Sequence, residues 1–109
     1  MKRMIWISYD LGIRGDYEGL YTWLDEYDAK ECGDNLARLV YEFTGNFLES
    51  LQKEIQDSVQ VSKKTRIYVI WLDSETQKTK GRFIFGKRKS PVWSGYATDK
   101  DEDIEDVED

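Results

Sequence analysis

The stretch Ala29-Lys30-Glu31-Cys32-Gly33-Asp34-Asn35, followed by Leu36-Ala37-Arg38-Leu39-Val40-Tyr41-Glu42-Phe43, decides the fold. Residues 36–43 alternate: Leu39, Tyr41 and Phe43 point one way, Arg38 and Glu42 the other, the signature of a half-buried strand. Gly33-Asp34-Asn35 has the chemistry of a tight hairpin turn. If residues 29–32 are a strand, they pair with 36–43. The order is then β-α-β-β-α-β plus a terminal strand, a ferredoxin-like arrangement. If they are the fraying end of a helix, each helix is a right-handed crossover between parallel strands. That alternative is a thioredoxin-like order without the redox motif. The turn chemistry favours the first reading. Both give an α/β (α+β) two-layer sandwich, with a mixed four- to five-stranded sheet covered by two helices.

Working outward, residues 4–9 and 66–72 are strands with apolar side chains on both faces, hence central in the sheet. Asp16 is placed to cap a helix over 17–27, whose stripe is Tyr17, Leu20, Tyr21, Leu24 and Tyr27, with Trp23 outside it. Asn46 and Glu49 form a capping box for a second helix to about Asp57, with Leu48, Leu51, Ile55 and Val59 facing the core. Residues 80–85 return as the second strand of a hairpin after the polar turn 73–79. No stretch is long and apolar enough for a membrane span, and the apolar run after Lys2-Arg3 is too short for a signal peptide. A single cysteine fits a reducing compartment, so a cytoplasmic protein is expected.

The chain has 109 residues, enough for one domain. It contains no histidine and one cysteine, which removes imidazole general bases, Ser-His-Asp triads, internal disulfides and four-ligand zinc sites. The formal charge is −6, with 22 acids against 16 bases. Eight of the acids and one lysine lie in residues 99–109, which leaves fourteen acids and fifteen bases, a net +1, for residues 1–98. The expectation is a nearly neutral globular domain at 1–98 carrying an acidic tail at 99–109. The tail is read as solubilising, or as a competitor that folds back on a basic segment.

The basic segment runs from Lys78 to Lys89. It holds Lys78, Lys80, Arg82, Lys87, Arg88 and Lys89 and no acid, with Phe83 and Phe85 interleaved and Trp93 close behind. Cations alternating with aromatics suit phosphate contact plus stacking on bases. The same lysines also suit an edge strand protected against pairing, and Phe83, Phe85, Trp93 and Tyr96 also suit closure of the core. An unprotected strand at 80–85 would pair into a homodimer across a two-fold axis.

Two further constellations carry chemistry. Asp10 stands at the carboxyl end of a central strand and Asp16 opens the next helix, so the two could share Mg²⁺ and polarise a phosphodiester. Helix capping by Asp16 and loop bonding by Asp10 account for the same residues. The intervening Gly12-Ile13-Arg14-Gly15 has clamp-loop spacing but follows a strand rather than a helix. Cys32 has Lys30 near it, opposed by Glu31 and Asp34, which fits a small packing cysteine better than a reactive thiol.

Tyr9-Asp10 closing the first strand, the amphipathic second helix and the strand Arg66-Ile67-Tyr68-Val69-Ile70 resemble the small ferredoxin-like subunit of the CRISPR adaptation complex. The resemblance covers residues 4–72. It implies that fold, and a metal-associated role for the acidic residue at Asp10. The leading expectation is a small binding or regulatory module that engages an anionic partner, nucleic acid or an acidic protein, through the basic aromatic hairpin, with no cofactor. The alternatives are a metal-dependent phosphodiesterase or nuclease using Asp10 and Asp16, and an acidic immunity or inhibitor protein.

Overall fold

The structure, a computed structural model, describes residues 1–97. The acidic tail 99–109 lies outside the described residues. The elements are β1 (Lys2–Asp10), α1 (Tyr17–Glu26), β2 (Lys30–Gly33), β3 (Leu36–Glu42), α2 (Phe47–Ser58), β4 (Arg66–Asp73) and β5 (Lys78–Phe85). They build an α+β fold: a five-stranded sheet in the order β2-β3-β1-β4-β5, with the two helices packed on it.

Every neighbouring pair of strands is antiparallel, so the sheet is not mixed and the thioredoxin-like alternative is excluded. The cause is local. Residues 30–33 are a strand, and Asp34-Asn35 reverse the chain onto β3. Asn35 takes a left-handed φ of 59°, a conformation asparagine tolerates better than most residues.

Both helices start where their capping residues stand. Asp16 Oδ1 accepts from the Gly19 amide at 2.9 Å, and Asn46 Oδ1 accepts from the Glu49 amide at 3.0 Å. The α2 core face is Phe47, Leu51 and Ile55, continued by Val59, with Leu48 partly buried. In α1 the stripe is rotated from the expected one. Trp23 is 2% exposed and Tyr21 is 50% exposed. The reason is that α1 packs against α2 as well as the sheet, and the Trp23 indole donates to Glu54 Oε1 at 3.3 Å. No described helix is long and apolar enough to cross a membrane.

The central strands depart from the expectation in one respect that matters for function. Ile5, Ile7, Ile67 and Val69 are fully buried on the helix side. Their alternating neighbours Met4, Trp6, Tyr68, Ile70 and Leu72 point to the other face. No described element covers that face, and Met4, Val40 and Leu72 are exposed on it. The apolar residues on both sides of β1 and β4 therefore reflect one core and one open surface.

Candidate functional site

The antiparallel register brings the end of β1 against the start of β4, with Asp10 opposite Arg66, Ser8 opposite Tyr68 and Trp6 opposite Ile70. On the other side of β4, Tyr68 faces Phe83 of β5. The two rings meet edge to face with centroids 4.8 Å apart. Arg66 lies 5.5 Å from the Phe83 centroid, and Arg88 lies 5.7 Å from Phe83 and 5.9 Å from Tyr68. Two guanidinium groups thus lie against one aromatic pair on the open face. Together with Ser8, Tyr9 and Asp10 they line a cleft of about 280 Å³.

A second cleft, of about 600 Å³, shares Asp10, Arg66 and Arg88 with the first. It adds Lys63 and Lys64 from the loop before β4, and Lys87 and Lys89 from the segment after β5. Six cations therefore surround one carboxylate. Asp10 offsets one of them: its Oδ1 accepts from the Gly12 amide at 3.0 Å, and its Oδ2 pairs with Arg66 Nη1 at 3.9 Å, so the cations remain in excess. Arg66 is itself aimed by a bond from Nε to the Lys87 carbonyl at 3.2 Å. Like charges gathered this closely repel one another, and the local potential at this end of the sheet is positive.

The expected basic segment is thus divided. Phe83, Lys87, Arg88 and Lys89 come together at the clefts. Lys78 and Lys80 stand at the opposite end of the hairpin, where Lys80 Nζ is 2.9 Å from Asp73 Oδ2. Arg82 lies on the helix side, near the capping residue Asn46 and Glu49 and Gln52 of α2. Phe85, expected to contact a partner, is a core residue. Trp93 is 71% exposed and Tyr96 63%, so neither closes the core, and neither lines the two clefts. Sequence reading missed Lys63, Lys64, Arg66, Tyr68 and Trp6. The available signals were the Lys63-Lys64-Thr65-Arg66 run and the outward alternation of the two central strands.

The Asp10 and Asp16 carboxylates do not come together. Asp16 keeps both oxygens for backbone amides, Oδ1 for Gly19 and Oδ2 for Gln60 at 2.9 Å. Those two bonds hold its carboxyl below the usual range, and it lines a different cleft from Asp10. Among the described residues no three His, Cys, Asp or Glu side chains are placed to hold a metal. The donor set at Asp10, one carboxylate among cations, does not fit Mg²⁺. Cys32 is exposed. No protein-family model matches the chain, and neither a characterised protein nor a solved structure matches it.

Proposed function

We propose that the protein is a small binding module that engages an anionic partner, nucleic acid or an acidic protein surface, at the end of the sheet where β1, β4 and β5 meet. The observation that carries this reading is the pair of clefts joined at Arg66 and Arg88, with six cations around a single, already bonded carboxylate. The surface is smaller than the whole basic hairpin and includes Lys63 and Lys64, which lie outside it. The fold reading we favour is ferredoxin-like. The first six elements run β-α-β-β-α-β with β1 and β3 at the centre, and β5 extends the sheet beside β4.

Titration of the full chain with labelled polyanions (an oligonucleotide and poly-glutamate) at low salt tests the binding. Binding should weaken steeply with salt, as counterion release requires. Lys64→Glu with Lys87→Glu should reduce it by at least tenfold, whereas Lys78→Glu should change it little. Equal losses for the two ends of the hairpin would place the contact elsewhere, and no binding of either polyanion would remove the reading.

A further inference from the structure

We infer that the occupant of this site is single-stranded nucleic acid, with bases stacked on the open sheet face and phosphates seated in the cation-lined cleft. The inference rests on the anion-binding reading above and goes beyond it in naming the ligand.

Three adjacent strands each present one aromatic ring to the same uncovered face: Trp6 on β1, Tyr68 on β4 and Phe83 on β5. Tyr68 and Phe83 meet edge to face at 69°, and Trp6 stands on the same face opposite Ile70, two residues along β4 from Tyr68. Aromatics half-exposed on a sheet face are the usual means of holding unpaired bases, because every base has a face to stack. Gly81 is part of the same construction. It sits opposite Ile70 on β5, and a Cβ there would collide with the Tyr68 ring. The missing side chain lets that ring lie across β5 instead of standing upright between the strands.

The cations complete the ligand's chemistry. Arg66 and Arg88 touch both the aromatic cleft and the basic one, so an anion bound to them is adjacent to the rings. A strand of nucleic acid alternates a flat base with a phosphate and satisfies both clefts at once. An acidic peptide would satisfy the cations and leave the three rings unused. A duplex would offer phosphates, but its bases are paired and stacked inside, out of reach of a sheet face.

The test compares a fluorescein-labelled single strand, its duplex and labelled poly-glutamate, by anisotropy on the full chain at low salt. The single strand should bind roughly tenfold tighter than either competitor, the size expected for one or two stacked bases. Trp6→Leu and Tyr68→Leu should each lower single-strand affinity by roughly tenfold and leave duplex affinity unchanged. Tyr68→Phe keeps the ring and should retain binding, and it serves as the control that the leucine variant has lost stacking and not the fold. Gly81→Ala, which moves the Tyr68 ring, should behave like Tyr68→Leu. If the duplex or poly-glutamate binds as tightly as the single strand and the ring variants change nothing, the inference is wrong and the anion-binding reading stands. If no polyanion binds, both are wrong.

Discussion

Glu54 joins α1, β3 and α2 through one carboxylate. Its Oε1 accepts from the Tyr27 hydroxyl at 2.6 Å and the Trp23 indole at 3.3 Å, and its Oε2 accepts from the Tyr41 hydroxyl at 2.9 Å. The rings of Trp23, Tyr27 and Tyr41 pack on one another with centroids 4.9 to 6.4 Å apart. Removing the carboxylate leaves the Trp23 and Tyr27 donors without their acceptor, while the Tyr41 hydroxyl keeps Ser50 Oγ at 2.8 Å. Glu54→Ala should therefore cost about 2–4 kcal/mol in urea unfolding, and Glu54→Gln, which retains one acceptor, distinctly less. Burial pushes the Tyr41 phenol up to about 12 and raises Tyr27 as well, with the Glu54 carboxylate adding to both. A phenol raised in the folded state contributes stability that is present below its unfolded value near 10 and is lost as pH climbs towards 12. The melting temperature should fall across that window, and Tyr41→Phe should flatten the fall. An unchanged alkaline slope in Tyr41→Phe would show that the network does not hold that proton.

The β4–β5 hairpin is the element on which the site depends. Its turn is organised by Asp73, which accepts from Thr76 Oγ1 at 2.9 Å and from the Glu75 amide at 3.3 Å and meets Lys80 at 2.9 Å. The Lys80 ammonium, then the Thr76 hydroxyl, lower its carboxyl to about 2. A depressed carboxyl stabilises above its unfolded value near 4, and that stabilisation is lost as pH falls towards 2. Asp73→Asn should remove part of the acid slope of the melting temperature while leaving the alkaline slope intact. Gln77 closes the turn with a left-handed φ of 60°, costly for a residue with a Cβ. Gln77→Gly should raise stability by up to about 1 kcal/mol, set against the loss of its bond to the Ser74 carbonyl. A lower melting temperature in that variant would mean the side-chain bond outweighs the backbone relief.

This hairpin also shows what was legible in the chain. The strands, both helix caps and the turn at Asp34-Asn35 follow from local chemistry, because each is specified by residues within a few positions of one another. The site was half legible. Lys78 to Lys89 reads as one patch along the sequence, yet an eight-residue strand carries its two ends to opposite ends of the sheet. Alternation sends Lys80 and Arg82 to the helix side. A register shift beside Phe83 then turns Phe85 into the core. Gly86, at φ 76° and packed against the Thr65 carbonyl, turns the chain towards Arg66 and the clefts. The run Lys63-Lys64-Thr65-Arg66 is visible in the chain, but only the pairing of β4 with β1 and β5, strands more than ten residues away, brings it to the clefts beside Arg88.

At the scale of the whole molecule the charge is uneven: acids crowd the last eleven residues, and cations crowd the two clefts. The sequence totals −6, yet without residues 99–109 it carries +1, and the clefts alone gather six cations against one carboxylate. Two kinds of electrostatics then act on a polyanion: the contacts it makes in the clefts, and the field of the whole chain, screened beyond about 10 Å at 0.1 M salt. They are separable. The slope of log affinity against log salt counts the phosphates contacted, about −0.7 per phosphate for a single strand, whereas net charge adds a screened repulsion that matters mainly at low salt. Deleting residues 99–109 should therefore strengthen single-strand binding at low salt and bring the two proteins together as salt rises. If instead the added affinity persists at high salt, where net-charge repulsion is screened, the tail obstructs the cation-lined cleft itself. If deletion changes affinity at no salt concentration, the local array of Lys63, Lys64, Arg66, Lys87, Arg88 and Lys89 alone sets the binding, and the acidic total has no bearing on which partners the domain accepts.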